Sequence, residues 1–177
     1  MSEHGTPGTA RPHATDAGTA HRRAVVIVAS TRAAAGQAED TTGPALVGWL
    51  RDRGFAVPQP VVVADGEPVR DALLAALIGH PRVVVTTGGT GLSPTDHTPE
   101  LTEPLLERRL PGVVHALAAR GASSTPTAVL SRGVAGTVGR TFVVNLPGSV
   151  GGVRDGIAVL DPILEHLCGQ LEGRHEH

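Results

Sequence analysis

Three short aliphatic runs, separated by helical patterns, restrict the fold of this chain more than any other feature of its sequence. The runs are AVVIVA at 24–29, PVVVA at 60–64 and VVVT at 83–86. A continuous run of this kind is typical of a strand that is covered on both faces. Residues 40–53 and 67–79, which lie between the runs, have apolar side chains at helical spacing. This β-α-β-α-β order predicts an α/β fold with a parallel sheet and right-handed crossovers.

The second half of the chain also mixes helices with strands. The predicted elements are helices at 99–107, 111–119 and 150–171 and strands at 127–131 and 141–145. Pro162 is expected to restart or kink the last helix, because proline removes a backbone donor. The glycine-spaced segment 132–140 fits either a hairpin or a wide loop.

One domain is predicted, spanning residues 23–172, since a chain of 177 residues can bury a single sizeable core. Residues 1–22 are rich in Gly, Thr, Ala, Pro and His without periodicity, which predicts a disordered N-terminal tail. The polar end at 173–177 is expected to be a frayed C-terminus.

Composition argues against several classes of function. Aromatic residues make up 2% of the chain and the net charge is −2, so neither base stacking nor a basic face for nucleic acid is expected. The chain has no lysine, which excludes Schiff-base chemistry. Cys168 is the single cysteine, so neither an intrachain disulfide nor a cysteine-based zinc site is possible. No apolar run approaches the roughly 20 residues of a membrane span, and a cytoplasmic protein is expected.

A glycine-rich loop follows the third aliphatic run and reads TTGGTGLSPTDHTPE at 86–100. Glycines let backbone amides approach an anion closely, and the helix predicted to follow adds the positive end of its dipole. The loop lacks the Gly-Lys-Ser/Thr ending of a Walker motif, and Pro94 stands where the dinucleotide fingerprint has its third glycine. The loop is therefore predicted to bind phosphate without either of these two motifs.

Polar or glycine-rich turns follow four of the predicted strands. They are Ser30-Thr31, Asp65-Gly66, the loop at 86–100 and the turn at 145–149, and Ser131 is predicted to end a fifth strand on the same side. Ligands of open α/β sheets bind at the carboxyl ends of strands, so this convergence favours a site there. Each piece also has a structural interpretation: Asp65-Gly66 fits an ordinary turn, and Thr98-Pro99 fits a helix N-terminus.

The residues gathered at these strand ends are carboxylates, hydroxyls, glycines and a few arginines. No Gly-x-Ser-x-Gly motif and no His-x-x-x-His pair occurs, which argues against a serine hydrolase and a histidine metal site. The remaining set suits phosphoryl or nucleotidyl transfer with Mg²⁺, where positioning and charge neutralisation dominate.

Five ordered motifs resemble the MoaB/Mog family of molybdenum cofactor biosynthesis proteins. They are TTGGTG at 86–91, D-x-TPE at 96–100, PG at 111–112, LSR-x4-G at 130–136 and NLPGS at 145–149. The resemblance extends from about residue 24 to 171. It implies a three-layer α/β sandwich around a mostly parallel sheet, assembled as a homotrimer or hexamer.

The resemblance also implies an activity, which is adenylylation of molybdopterin. MgATP donates AMP to the terminal phosphate of the pterin, pyrophosphate leaves, and a separate protein then inserts molybdate. Asp65 and Asp96 match the family's functional aspartates, with catalytic and Mg²⁺-binding roles. The substrate-binding residues expected for molybdopterin and ATP are Ser30, Thr31, Gly88, Gly89, Thr90, Gly91, Thr98, Glu100, Ser131, Asn145, Pro147, Gly148 and Ser149.

The chain departs from the family pattern beside Asp96, where Thr95 and His97 replace an arginine and a valine. Another arginine, such as Arg132, is a candidate for the phosphate contact that this arginine would make. Two other functions stay open. One is a non-catalytic molybdopterin-binding or assembly protein, and the other is a nucleotide-cleaving enzyme like the competence-damage proteins of the same fold.

Overall fold

The computed structural model describes residues 22–173, which form a six-stranded sheet with helices on both faces. The strands are β1 (Ala24–Ala29), β2 (Val61–Val63), β3 (Val83–Thr87), β4 (Arg108–Arg109), β5 (Ala135–Val138) and β6 (Thr141–Leu146). The helices are α1 (Thr31–Ala34), α2 (Thr42–Asp52), α3 (Glu67–Ile78), α4 (Thr98–Thr102), α5 (Pro111–Ala122) and α6 (Val150–Leu171).

The order of the strands across the sheet is β2-β1-β3-β6-β5-β4. The first four run parallel, and β5 and β4 add an antiparallel edge. Register is fixed at the centre, where Val85 of β3 pairs with Val26 of β1 and Val144 of β6. Because the four parallel strands end on one edge of the sheet, the turns that follow them are neighbours in space.

Alternate residues of β1 face the two covering layers. Val26 and Val28 pack in a cluster with α2 and α6, whereas Ile27 packs with α3 in a second cluster on the opposite face. The layers are therefore helix, sheet and helix, as the predicted three-layer sandwich requires. Burial on both faces explains why the strands read as continuous aliphatic runs rather than as alternating patterns.

Cys168 belongs to the core on the α6 side and is 1% exposed. Burial raises the pKa of its thiol to about 11, so it remains protonated and packs as a small apolar side chain.

The strand predicted at 127–131 is wrong. Residues 126–130 form a short 3-10 turn beside α5, with Val129 and Leu130 half or more exposed. The strand that precedes β6 in the chain is instead β5, in the glycine-spaced segment that fitted a hairpin or a loop, and it pairs antiparallel with β6. Gly139 makes this hairpin turn with a φ of 56°, a conformation that favours glycine.

Two proline effects also differ from prediction. The helix predicted at 99–107 ends at Thr102 and gives way to a 3-10 turn at Glu103–Leu105, because Pro104 cannot donate to a continuing helix. In contrast, α6 runs without interruption through Pro162, so the restart is wrong, and the kink, the other predicted alternative, stays a prediction. Leu160 and Leu164 are buried on either side of that proline, and their packing offsets the hydrogen bond that it removes.

The predictions for the tails at 1–22 and 173–177 concern residues outside the described range, apart from Arg22 and Gly173. Arg22 forms an ion pair with Glu165 and lies over the ring of Phe55, 5.1 Å from its centroid. Within residues 22–173, the structure contains no helix with the length and apolarity needed to span a membrane.

Candidate functional site

The glycine-rich loop crosses the end of the sheet in direct contact with its neighbours. Gly88 has a φ of 95°, and a Cβ atom there would lie 2.1 Å from the carbonyl oxygen of Ala29 at the end of β1. Its amide donates to the carbonyl of Leu146 at the end of β6 (3.1 Å). Only glycine fits a position held between two strand ends in this way, so the loop depends on that residue.

Two neighbouring cavities open at this edge of the sheet among the described residues. The polar cavity, of about 490 Å³, contains Ser30, Thr31, Asp40 and Asp65 in its wall. The apolar cavity, of about 400 Å³, lies between the glycine-rich loop, α5 and the start of α6. Gly89, Asp96 and Gly148 line both cavities. A ligand that filled both would therefore pass beside Asp96.

Asp65 lies in the turn after β2 and is held by Thr31, the first residue of α1. Its Oδ2 atom accepts hydrogen bonds from the backbone amide (3.0 Å) and the hydroxyl (2.7 Å) of Thr31. The Thr31 hydroxyl oxygen also lies 3.2 Å from the amide of Asp65. The Oδ1 atom is turned toward Gly89, since a Cβ atom on that glycine would lie 3.2 Å from it. One carboxylate oxygen is thus fixed by protein donors, and the other faces the glycine-rich loop.

Asp96 occupies a tight turn of the glycine-rich loop. Its Oδ2 atom accepts a hydrogen bond of 3.3 Å from the amide of Ser93. A Cβ atom on Gly91 would lie 2.7 Å from the same oxygen, so the carboxylate packs directly against the backbone of that glycine. The turn therefore fixes the position of the carboxylate between the two cavities.

Arg132 supports this loop rather than lining either cavity. Its Nε atom donates to the carbonyl of Gly91 (2.8 Å), Nη2 donates to the carbonyl of Asp96 (2.7 Å), and Nη1 pairs with Glu100. These contacts hold both ends of the Asp96 turn. The suggested role of Arg132 as a phosphate contact is therefore replaced by a structural one.

Glu100 is the partner of Arg132 and also lies outside both cavity walls. Partial burial opposes ionisation of its carboxyl, but its own backbone amide and the Arg132 guanidinium outweigh that effect. Together they hold the pKa of Glu100 below its usual value. We conclude that Glu100 acts on the site by holding Arg132 in place.

Asn145 is buried beneath the loop, and both the NH2 group and the carbonyl oxygen of its side chain form hydrogen bonds. Its Nδ2 donates to the hydroxyls of Thr86 (2.9 Å) and Thr102 (3.0 Å), and its Oδ1 accepts from the amide of Val134 (3.1 Å). Asn145 also lines the apolar cavity, but its amide is engaged within the protein. It joins β3, β6 and α4 under the site.

Most of the predicted site residues line the cavities. The polar cavity contains Ser30, Thr31, Asp65, Gly88, Gly89, Asp96 and Gly148, and the apolar cavity contains Gly89, Thr90, Gly91, Asp96, Ser131, Asn145, Pro147, Gly148 and Ser149. Thr98 and Glu100 line neither one. Thr98 is 1% exposed, and its hydroxyl has no hydrogen-bond partner within residues 22–173.

Of the two departures from the family pattern, Thr95 lines the polar cavity, whereas His97 is exposed outside both cavities.

Known proteins resemble this chain in both sequence and fold. Residues 25–166 match the family model described as a probable molybdopterin binding domain. The Mog protein from Mycobacterium ulcerans is 48% identical and superposes with a TM-score of 0.81, covering 85% of this chain and 99% of that structure. The chain belongs to the MoaB/Mog family of molybdenum cofactor biosynthesis proteins.

Curated relatives of this MoaB/Mog chain carry two kinds of name. The molybdenum cofactor biosynthesis bifunctional protein of Synechococcus elongatus is 40% identical over 152 residues. This match takes in 85% of the present chain but 47% of that relative, so the chain spans about half its length. The molybdopterin adenylyltransferase of Helicobacter pylori strain 26695 is 31% identical, with 85% of this chain and 88% of the relative covered.

Part of the cavity wall in this MoaB/Mog domain was not predicted from the sequence. Helix α5 contributes Val114, Leu117 and Ala118 to the apolar cavity, and α6 contributes Arg154 and Asp155. The spacing of the α5 residues places them on one face of the helix, but the same spacing is typical of core packing. Asp155 is 6% exposed, and its burial was not recognisable from the sequence.

The metal-ligating side chains of this MoaB/Mog domain are dispersed. Between residues 22 and 173, no group of three or more His, Cys, Asp or Glu side chains is arranged to hold a metal ion. Asp65 and Asp96 nevertheless line the same polar cavity, together with hydroxyls of Ser30 and Thr31. Mg²⁺ in nucleotide-dependent enzymes commonly takes one or two carboxylates and completes its shell with water and substrate phosphates. These oxygen donors therefore fit Mg²⁺ that arrives with a nucleotide.

Proposed function

We propose that this chain is a molybdopterin adenylyltransferase. In this reaction an oxygen of the terminal phosphate of molybdopterin attacks the α-phosphorus of ATP. A new P–O bond joins AMP to the pterin phosphate, the bond to the β-phosphate breaks, and pyrophosphate leaves. The position of Asp96 between a polar and an apolar cavity carries the proposal, because two substrates must meet where phosphate is transferred.

The polar cavity is suited to the triphosphate. Its walls provide the glycines of the 88–89 turn and the hydroxyls of Ser30 and Thr31, which can donate to phosphate oxygens. Asp65 would bind Mg²⁺ through the carboxylate oxygen that Thr31 leaves free, and Asp96 would bind it from the glycine-rich loop. When bound between these carboxylates, the metal would supply positive charge that balances the negative charge of the phosphates.

The apolar cavity is suited to the flat pterin. Aliphatic side chains of α5 and the adjoining 3-10 turn form one wall, and the turn at 147–149 forms another. Burial of a ring system between such walls is favourable, and it would leave the phosphate of the pterin near Asp96. The reacting groups would then be held in proximity by binding at both ends.

Release of pyrophosphate from ATP, measured with and without molybdopterin, tests this function. The adenylyltransferase predicts release that depends on molybdopterin, together with a pterin product whose mass increases by one AMP residue. A non-catalytic binding or assembly protein predicts that molybdopterin binds without pyrophosphate release. A nucleotide-cleaving enzyme predicts ATP cleavage that does not require the pterin, and either result would contradict the proposal.

We also propose two associations from the family resemblance. The adenylylated pterin would pass to a separate molybdate-insertion protein, and the chain would assemble as a trimer or hexamer. Light scattering of the purified protein should give three or six times the 18.1 kDa mass of one chain. A monomer at micromolar concentration would contradict the proposed assembly.

A further inference from the structure

Asp155 is a buried carboxylate in the wall of the apolar cavity. It lies on α6 within two turns of the start of that helix, and 6% of its surface is exposed. Its neighbour Gly151 lines the same cavity, and no atom lies within 4 Å of where a Cβ atom on that glycine would be placed. The cavity is therefore open one helical turn before Asp155, beside Gly151.

Two arginines lie close to the Asp155 carboxylate, but the carboxylate accepts no hydrogen bond from the described residues. Its Oδ1 atom lies 3.5 Å from Nε of Arg120 and 3.9 Å from Nε of Arg154. Both arginine side chains are more than half exposed, at 55% and 72%, so these ion pairs are weak. Among the described residues, no backbone or side-chain group forms a hydrogen bond to this carboxylate.

A carboxylate that lines a cavity and accepts no hydrogen bond within the protein can accept donors from a ligand. An ionised carboxylate accepts hydrogen bonds only, and its two oxygens match two parallel N–H groups. Aliphatic side chains, including Val114 and Leu117, line the same cavity. The cavity thus favours a flat ring with apolar faces and a pair of adjacent donors on one edge.

We propose that Asp155 determines the specificity of the apolar cavity by binding the N3–H and 2-amino groups of a 2-amino-4-oxopteridine ring. The proposal rests on the proposed function, because it assigns the pterin of molybdopterin to this cavity. It adds the residue that distinguishes such a ring from a deaminated analogue. A guanine base carries the same pair of donors, so the test must separate the two sources.

Binding of three probes tests this assignment. The probes are 6-hydroxymethylpterin, the corresponding lumazine with oxygen in place of the 2-amino group, and guanosine. Wild-type protein should bind the pterin at least about tenfold more tightly than the lumazine, because the 2-oxo group would face the carboxylate. Equal affinities, or no binding of either ring at about 1 mM, would overturn the assignment, and tighter binding of guanosine would assign the cavity to a nucleoside instead.

Substitution of Asp155 makes the test specific to this residue. Asparagine offers one acceptor and a donor, which match N3–H and the 2-oxo group of lumazine, so Asp155→Asn should reverse the preference. Asp155→Ala should bring the two affinities to within about threefold. Glu165→Gln is the matched control, since it removes an exposed carboxylate from the same helix outside both cavities and should keep the wild-type preference.

Pyrophosphate release distinguishes failure of this inference from failure of the proposed function. Wild-type protein that prefers the pterin but never releases pyrophosphate would contradict adenylyl transfer and still support Asp155 as the specificity residue. Active wild-type protein whose preference is unchanged in Asp155→Asn would overturn the role of Asp155 and leave adenylyl transfer standing.

Discussion

Thr31 holds Asp65 through its backbone amide and its hydroxyl, both donating to Oδ2 at 3.0 and 2.7 Å. This contact joins the start of α1 to the turn after β2, and it places the carboxylate on the wall of the polar cavity. Because one oxygen is occupied by these donors, the direction of the other is fixed. The pair therefore orients a charged group before any ligand arrives, which lowers the cost of organising the site.

Removal of the Thr31 hydroxyl should affect turnover more than stability. We expect Thr31→Val to lower the rate of pyrophosphate release about tenfold, which corresponds to the loss of one hydrogen bond to a charged group. Thr31→Ser retains the hydroxyl and should recover most of the rate. Thr137→Val is the matched control, since that buried hydroxyl has no partner among the described residues and lies outside both cavities. A wild-type rate in Thr31→Val would show that Asp65 needs no such orientation.

Gly89 should not tolerate alanine. Its φ is 63°, and a Cβ atom would lie 2.3 Å from the hydroxyl oxygen of Thr98, which is buried. Gly139 has a similar φ of 56° with open space around it, so Gly139→Ala isolates the backbone strain, about 1–2 kcal/mol. Gly89→Ala should lower the thermal midpoint and the turnover by clearly more than Gly139→Ala does. The added Thr98→Ala substitution should recover part of the loss, and equal effects of the two glycine variants would contradict the steric explanation.

The lowered pKa of Glu100 predicts how the loop responds to acid. A carboxyl whose pKa is lower in the folded than in the unfolded state contributes stability above the unfolded value, here 4.5. That contribution is lost as the pH falls through the folded value, and it is small because the side chain is 52% exposed. Glu100→Gln should therefore lower the thermal midpoint slightly at pH 7 and reduce its decline on the acid side of pH 4.5. Parallel curves for both proteins would contradict stabilisation of the loop by the pair with Arg132.

The edge of the sheet at which the site lies could be predicted from sequence because parallel strands end together. Asp65 and Asp96 are 31 positions apart in the chain, yet the order β2-β1-β3 brings both to one cavity. The same reasoning misplaced the segment at 127–131, whose aliphatic residues resemble a strand but pack as a 3-10 turn beside α5. Ser131 still reaches the site, since its hydroxyl lies 3.1 Å from that of Thr90.

Side-chain roles within the site were less accessible to prediction. Arg132 supports the Asp96 turn through three contacts that depend on the folded path of the loop, and no local pattern specifies them. Asp155 looks like an ordinary exposed helix residue in the sequence, and its burial follows from the approach of α5 to α6. The magnesium ion, the bound ATP and the assembly of the chain stay predictions.

Replacement of Asp96 by asparagine tests most directly whether the two cavities form an adenylyl transfer site. The substitution keeps the shape and the hydrogen bond from Ser93 but removes the charge that would hold Mg²⁺ between the substrates. We expect molybdopterin-dependent release of pyrophosphate to fall about 100-fold or more, equivalent to about 2.7 kcal/mol in the barrier, with little change in thermal midpoint. Asp65→Asn should behave similarly, and the double variant should lose less than the product of the single losses if both carboxylates serve one ion. An active wild type matched in rate by Asp96→Asn would contradict a catalytic role for this residue, as would a variant that keeps its rate but loses several degrees of thermal stability.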